Sequence, residues 1–216
     1  MTNKITTLTA ELSFPDPRIA LDDPNGLLAI GGDLSPNRLI LAYKNGIFPW
    51  FNEGDPIMWW SPDPRAVLFF DQLKTSRSLK KTLDKGGFQF TINKTFKEVA
   101  AACAAPRLKQ EGTWITSEMQ KAYIELHKQG FAMSVEAWQE GQLVGGLYGI
   151  TVNKVFCGES MFNKVSNASK AAFVYLVDYL KTQDYKFIDS QILNPHMASL
   201  GVTEISRDKF LQLLKE

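Results

Sequence analysis

The sequence has few of the residues that bind metal ions or form disulfides. It contains two cysteines and two histidines in 216 residues. Cys103 and Cys157 lie far apart, without the CxxC spacing of zinc or redox motifs. We therefore expect two buried thiols and no metal site.

Long apolar segments are missing as well. The sequence has no run of 18 apolar residues, and its first 20 residues lack a basic start followed by an apolar stretch. Neither a membrane span nor an export signal is predicted, and we expect a soluble protein of the cytoplasm. The apolar fraction of 44% is sufficient for the core of one ordinary domain, or of a small domain packed on a larger one.

Common catalytic and phosphate-binding motifs are also absent. The pair Gly31-Gly32 lacks the GxGxxG and GxxxxGK spacings and predicts a turn rather than a phosphate loop. Ser160 lies in GESMF, which lacks the second glycine of a GxSxG elbow. No base is evident for Cys157, because His127 lies on a predicted helix face and His196 lies in an NPH turn.

The segment from Gly46 to Arg65, GIFPWFNEGDPIMWWSPDPR, is the most unusual part of the chain. It holds three of the five tryptophans, two phenylalanines and four prolines, and is too broken by proline for a helix or a central strand. It predicts an aromatic loop that either packs onto the core or lines a pocket for a flat or apolar ligand. Eight of the ten prolines precede Arg65, so we expect a small loop-rich domain over residues 1–64 and a larger domain over residues 65–216.

Positive charge is concentrated in one segment. The net charge is +1, but residues 74–109 carry nine Lys or Arg against two acids. Within it, a predicted helix from Ser76 to Lys85 turns Leu79 and Leu83 inward and a basic row outward. The basic side chains are Arg77, Lys80, Lys81 and Lys85. Such a segment indicates a surface for a polyanion, or else an ordinary solvated helix face.

Regular strand and helix patterns dominate after Arg65. AVLFF, FQFTI, VFCGESMF and KFIDSQIL predict strands, and FAMSVEAWQ and QLVGGLYGITV predict a hairpin around Glu140-Gly141. Helices are predicted between them, including one capped at Ser117 and an apolar one from Asn167 to Gln183. Earlier in the chain, Ser35 and Gly46 mark the start and end of a helix. This order predicts an α/β or α+β fold with a sheet covered by helices.

Three polar residues interrupt the predicted apolar strands. Side chains of a strand alternate between its faces, so Asp189 and Gln191 are expected to share a face with Phe187 and Leu193. Glu159 lies in the middle of VFCGESMF. Buried acids need partners, and their cost favours a functional site. The alternative is that all three are structural hydrogen-bonding groups.

Seven blocks of the sequence resemble, in their order, those of the leucyl/phenylalanyl-tRNA-protein transferases. They are PNGLLAIGGDLSP, GIFPWFNEGDPIMWWSPDPR, EGTWIT, LVGGLYG, FCGESMF, NASK and IDSQILNPHMASLG. The resemblance implies a small N-terminal domain and an acetyltransferase-like (GNAT) C-terminal domain, with a central mixed sheet covered by helices. It also implies transfer of leucine or phenylalanine, and less well methionine, from aminoacyl-tRNA to the N-terminal Arg or Lys of a protein. The product is then directed to N-degron proteolysis.

The resemblance also implies roles for residues in both halves of the chain. Matched by position, Trp50 and Trp114 would hold the 3′ aminoacyl-adenosine, and tryptophans stack well on bases. Leu147, Phe156 and Met161 would surround the donor side chain. A smooth apolar pocket discriminates loosely, which fits a donor that is either leucine or phenylalanine. The basic row would contact the acceptor stem of Leu-tRNA or Phe-tRNA.

Glu159, Asp189 and Gln191 match the family's GES and D-x-Q positions. Since the donor is an activated ester, we expect a reaction without ATP, metal or cofactor. We expect Gln191 to orient the acceptor amine through its carbonyl oxygen, and Asp189 to polarise Gln191 or relay a proton. Glu159 would hold the basic N-terminal residue of the acceptor. The 2′-hydroxyl of the tRNA is a second candidate for handling the proton.

Two other classes of function fit parts of the sequence. An acyl-CoA-dependent N-acetyltransferase of the GNAT fold would share the sheet, but FNKVSNASK lacks the glycines expected in its pyrophosphate loop. A non-catalytic RNA-binding module would account for the basic helix and the aromatic residues. It would leave Glu159, Asp189 and Gln191 unexplained.

Overall fold

A small sheet forms in the proline-rich part of the chain. The structure, a computed structural model, describes residues 5–105 and 115–215. The small sheet has the strand order β1-β2-β4-β3, in which β1 and β2 are parallel. Its strands are β1 (Thr6–Leu8), β2 (Leu27–Gly31), β3 (Phe48–Pro49) and β4 (Met58–Trp60). Because β3 and β4 both lie in the aromatic loop, that loop is a short hairpin added to the edge of β2.

Helix α1 (Pro36–Lys44) begins and ends as predicted. The Ser35 hydroxyl accepts a hydrogen bond from the Arg38 backbone N–H, and Pro36 occupies the first turn. Gly46 follows the helix with φ of +73°, and a Cβ there would lie 2.8 Å from Phe210 and Leu211. Only glycine therefore suits both the backbone conformation and the close approach of the last helix.

The larger sheet has seven strands in the order β11-β5-β10-β9-β8-β7-β6. The pairing of β9 with β10 is parallel and the other pairings are antiparallel, so the sheet is mixed. Its strands are β5 (Arg65–Leu68), β6 (Gln89–Ile92), β7 (Ala132–Gln139), β8 (Gln142–Val152), β9 (Val155–Asn163), β10 (Phe187–Gln191) and β11 (Thr203–Ile205). The predicted hairpin and strands are confirmed.

Helices cover both faces of the large sheet. The buried side chains of α1, α3 (Phe96–Ala104), α4 (Ser117–Lys128) and α7 (Arg207–Lys215) form one core with the small sheet. Those of α2 (Arg77–Asp84), α5 (Ala168–Thr182) and α6 (Pro195–Ser199) form the other. The predicted mixed sheet covered by helices is confirmed. The division between residues 64 and 65 stays a prediction, and the small sheet shares its core with the large one.

Two local predictions need correction. The hydroxyl that caps α4 belongs to Thr116, which accepts from the Met119 backbone N–H, and Ser117 is already in the first turn. Strand β10 ends at Gln191, two residues earlier than predicted, since Gln191 has a φ of +56°. Among the described residues, no helix combines the length and apolarity needed to cross a membrane.

Candidate functional site

A cavity of about 920 Å³ opens where β9 and β10 separate. The two strands pair only between Val155–Cys157 and Phe187–Asp189. Beyond that point β9 continues to Asn163 beside β8, whereas β10 ends. Two parallel strands that diverge in this way leave a wedge, which the adjoining helices α3 and α5 close from the two faces. The cavity is therefore a product of the sheet topology.

The apolar wall of this cavity contains the three residues predicted for the donor side chain. Leu147 on β8 pairs with Met161 on β9, and Phe156 lies earlier on β9. Leu147 and Phe156 are buried, and Phe173 of α5 and Ile188 of β10 complete the wall. The structure thus brings the predicted pocket residues together into an apolar surface suited to an aliphatic or aromatic side chain.

Glu159 lies at the polar side of the cavity and is held by neutral donors. Its Oε1 accepts from the Tyr43 hydroxyl at 2.8 Å and from the Gln191 side-chain nitrogen at 3.2 Å. Its Oε2 accepts from the Tyr123 hydroxyl at 2.8 Å. Burial raises the pKa of Glu159 to about 7, and the two phenol hydrogen bonds partly offset this rise. The carboxyl group can therefore gain or lose a proton at neutral pH.

Asp189 has quite different partners. It is fully buried, and its carboxylate is bound by Arg65, with Nε to Oδ1 at 2.8 Å and Nη2 to Oδ2 at 2.7 Å. Oδ1 also accepts the Gln191 backbone N–H at 3.0 Å. The Arg65 guanidinium lies over the rings of Phe48 and Phe210 and donates to the Gly46 carbonyl. Asp189 thus joins β10 to the aromatic loop and fixes the backbone at Gln191.

Gln191 adopts a conformation that is uncommon for a residue other than glycine. Its φ is +56°, and the register with β5 shifts between Asp189 and Gln191. The regular pairing of β10 with β5 ends at this point, because the backbone N–H of Gln191 turns to Asp189 instead of continuing the ladder. This turn directs the Gln191 side chain into the cavity, where it contacts Glu159.

Four residues in or beside the cavity were not identified as site residues from the sequence: Tyr43, Tyr123, Arg65 and Tyr148, the last of which lines the cavity. The sequence pattern places Tyr43 in an apolar helix row and Tyr123 in a helix interior, yet their hydroxyls hold Glu159 and lie 3.0 Å apart. Arg65 marks only a boundary in the sequence, and Tyr148 is only part of a strand. The available signal is that buried phenols and guanidinium groups require polar partners.

The tryptophans of the aromatic loop have different environments. Trp59 is fully buried, packs edge-on against Phe14, and donates from Nε1 to the Gly31 carbonyl. Trp50 is 43% exposed and lies 5.8 Å from the Trp60 ring. Trp59 is therefore a core residue, whereas the assignment of Trp50 to aminoacyl-adenosine stays a prediction. Trp114 lies outside the described residues.

The predicted basic row lies on the exposed side of α2. Its members Arg77, Lys80, Lys81 and Lys85 are all exposed, while Leu79 is buried on the opposite side. The side chain of Asn167, which precedes α5, donates to Thr82 of α2 at 3.1 Å. Ser169 of α5 and the nearby Lys164 line the cavity. The basic helix is thus attached beside the segment that forms one wall of the cavity.

Comparison with known proteins gives a family. The model of the leucyl/phenylalanyl-tRNA protein transferases matches residues 67–215, and the model of their N-terminal domain matches residues 32–63. The chain is 59% identical to a leucyl/phenylalanyl-tRNA–protein transferase of Shewanella sediminis over 99% of its length and 91% of that relative. It is also 59% identical to one of Shewanella halifaxensis, over 93% of its length and 85% of that relative.

These matches define the protein's class as a transferase enzyme. The chain belongs to the leucyl/phenylalanyl-tRNA protein transferase family. Solved structures are similar at greater distance, among them L-PGS from Bacillus licheniformis, with 14% identity, a TM-score of 0.42 and coverage of 78% of this chain and 54% of that one. A GCN5-related N-acetyltransferase-like protein from Streptococcus suis has 12% identity, a TM-score of 0.37 and coverage of 76% and 61%. Membership of the family is shown by the two family models and the sequence relatives.

Proposed function

We propose that this chain transfers leucine or phenylalanine, and methionine less well, from aminoacyl-tRNA to the N-terminal Arg or Lys of an acceptor protein. The observation that carries this proposal is that the same cavity combines an apolar wall and a titratable acid. The wall includes Leu147, Phe156 and Met161, and the acid is Glu159. In this proposal the apolar wall binds the donor side chain and the acid acts on the acceptor amine. The product, extended at its N-terminus, would be a substrate for N-degron proteolysis.

The apolar wall supports a donor with an apolar side chain. Leu147, Phe156 and Phe173 offer methyl groups and ring surfaces, and Met161 is flexible enough to fit either a branched or a planar group. Each methylene added to or removed from the ligand in such a pocket changes binding by about 1–3 kcal/mol. The enzyme would therefore favour leucine and phenylalanine over small or polar amino acids without separating the two strongly.

Glu159 supports a basic acceptor. Its ionised form would attract the positively charged N-terminal residue, and its pKa of about 7 also allows it to take a proton from the acceptor α-ammonium. The unperturbed pKa of an α-amino group is about 7.7 to 8.0, so most acceptor amines are protonated at pH 7 and must lose a proton before attack. We propose that Glu159 accepts this proton.

Gln191 would orient the acceptor amine and Asp189 would position Gln191. Neither residue would transfer a proton. With its Nε2 donating to Glu159, the Gln191 amide can accept an amine N–H at its oxygen and so orient the nitrogen toward the ester. Asp189, already bound to Arg65, keeps the Gln191 backbone in its left-handed conformation. Asp189 is therefore a positioning residue in this proposal, whereas from the sequence we expected it to polarise Gln191 or relay a proton.

The tRNA would bind along the face that joins the cavity to α2. Phosphates would contact Arg77, Lys80, Lys81 and Lys85, which are exposed, and Lys164 lies nearer the cavity. Lys and Arg bind phosphate mainly through charge, so this contact would contribute affinity without reading the tRNA sequence. Trp50 and Trp114 would stack on the terminal adenosine.

The chemistry is aminolysis of an ester. The acceptor nitrogen forms a bond to the acyl carbon, the bond from that carbon to the ribose oxygen breaks, and the ribose oxygen takes up a proton. The α-ammonium gives one proton to Glu159 before attack. The nitrogen loses a second proton when the amide forms, and this proton passes through the neighbouring 2′-hydroxyl of the ribose to the leaving oxygen, so that the 2′-hydroxyl is restored. Since the ester is already activated, holding amine and ester together supplies most of the rate.

A transfer assay tests this function. Purified protein is incubated with labelled Leu-tRNA or Phe-tRNA and peptides that begin with Arg, Lys or Ala. We expect label in the Arg and Lys peptides and little in the Ala peptide. Only in the first two does the side chain of the first residue carry a positive charge that Glu159 could bind. Equal labelling of all three peptides, or no labelling from aminoacyl-tRNA while added acetyl-CoA acetylates the peptides, would refute the proposal.

A further inference from the structure

Tyr148 differs from the other buried phenols of the site. It lies on β8, opposite Ser160 on β9, at the point where the register shifts and leaves Glu159 as the additional residue. Its ring is held between those of Tyr123 and Phe96, each with centroids 5.6 Å away. The residue is fully buried and lines the cavity. Tyr148 is thus a fixed part of the cavity wall next to Glu159.

The hydroxyl of Tyr148 has no hydrogen-bond partner among the residues that the structure describes. Tyr43 and Tyr123 both donate to Glu159. Leaving a buried hydroxyl unpaired costs about 1–3 kcal/mol, and phenylalanine would fill the same space without that cost. A hydroxyl kept at this expense on the wall of a cavity indicates that a bound ligand supplies the missing partner.

The protonation state of the Tyr148 phenol determines which hydrogen bonds it can make with a ligand. Burial, together with the neighbouring Cys103 and Glu159, raises the pKa of the Tyr148 phenol well above its ordinary value. The hydroxyl therefore keeps its proton at neutral pH and is a hydrogen-bond donor. A protonated phenol can donate one hydrogen bond, and the acyl carbonyl oxygen is an acceptor on the carbon that reacts.

We propose that the Tyr148 hydroxyl donates a hydrogen bond to the acyl carbonyl oxygen of the bound aminoacyl ester and stabilises the negative charge that forms there. This inference rests on the proposed function. When the amine nitrogen attacks, the π electrons of the carbonyl move onto its oxygen, and they return when the bond to the ribose oxygen breaks. Tyr148 keeps its proton throughout, so the step needs no further reactant. Glu159 and Tyr148 would act on the two ends of the new bond, one on the amine and the other on the carbonyl.

The substitution Tyr148→Phe tests the proposal because it removes one oxygen and keeps the ring. We expect kcat for transfer of leucine to an Arg-initiated peptide to fall about 10- to 100-fold, below the effect of removing a fully formed oxyanion donor. Binding of Leu-tRNA, measured by filter retention, is expected to change less than twofold. The melting temperature is expected to stay level or rise, since an unpaired buried hydroxyl is removed.

The matched control is Tyr175→Phe, which also removes one phenol oxygen. Tyr175 stacks on Phe90 with ring centroids 4.9 Å apart and is not among the described residues that line the cavity. We expect the control to keep the kcat of the unmodified protein. An unchanged kcat in Tyr148→Phe, or a loss confined to Leu-tRNA affinity, would overturn the proposal for Tyr148. Absence of transfer by the unmodified protein would instead refute the proposed function.

Discussion

The two acids of the candidate site lie on neighbouring strands and have opposite surroundings. Asp189 on β10 is fully buried and paired with the guanidinium of Arg65. Glu159 on β9 lines the cavity and is held by two phenols and an amide, all of them neutral. Asp189 is held in the core by its ion pair, whereas the pKa of Glu159, raised by burial to about 7, lets its carboxyl group change charge near neutral pH. In our proposal, Asp189 therefore has a structural role and Glu159 a chemical one.

The largest effect on stability is expected from breaking the Arg65–Asp189 ion pair. Asp189→Ala leaves the Arg65 guanidinium buried without its partner, which typically costs about 3–5 kcal/mol in the free energy of unfolding. We expect a correspondingly large fall in stability in urea denaturation, together with loss of transfer. Asp208→Ala is the control, because the Arg18–Asp208 pair is exposed to solvent and is expected to contribute little to stability. Equal losses in the two variants would contradict the structural role of Asp189.

A large effect on activity with little effect on folding is expected at Glu159. Glu159→Gln keeps the size and shape of the side chain, replaces one acceptor oxygen with an NH2 donor, and cannot accept a proton. We expect kcat/KM for an Arg-initiated peptide to fall about 10²- to 10³-fold, within the usual range for general-base catalysis. Glu125→Gln, on the exposed side of α4, serves as the control. A variant at Glu159 that transfers at the original rate would remove the acid from the mechanism.

The raised pKa of Glu159 gives its contribution to stability a definite pH dependence. The folded-state pKa of Glu159 is about 7, above its ordinary value of 4.5. Its contribution to stability is therefore complete below about pH 4.5 and is lost as the pH rises to about 7. We expect the melting temperature of the unmodified protein to fall relative to that of Glu159→Gln between pH 5 and pH 7.5. A difference that does not change with pH would contradict the raised pKa.

The sequence predicted the elements of this comparison but not their partners. Glu159 and Asp189 were both found as acids in apolar strands, since a strand pattern makes a polar residue conspicuous. Their different surroundings depend on Tyr43 and Arg65, which lie more than 100 positions away along the chain from the acids they contact. The left-handed turn at Gln191 was also missed, because the D-x-Q pattern looks like a regular strand. Periodicity predicts elements and faces, whereas contacts across the core require the tertiary structure.

A smaller effect is expected from the basic helix, which is remote from both acids. Reversing charge at Arg77 and Lys81 should weaken tRNA binding and reduce the slope of log affinity against log salt by up to about two, close to one for each phosphate that is no longer neutralised. Lys181→Glu, also exposed but at the far end of α5, is the control. Filter binding over a range of salt concentrations gives the slope. An unaltered slope would place the tRNA on another surface.

The pH dependence of kcat/KM tests the central assignment most directly. With an Arg-initiated peptide, the profile of the unmodified protein is predicted to rise through a pKa of about 7, as Glu159 loses its proton. The acceptor amine titrates about one unit higher and affects all variants equally. The rise near pH 7 should vanish in Glu159→Gln and persist in Asp189→Asn. A rise that persists without Glu159, or vanishes only without Asp189, would contradict the account.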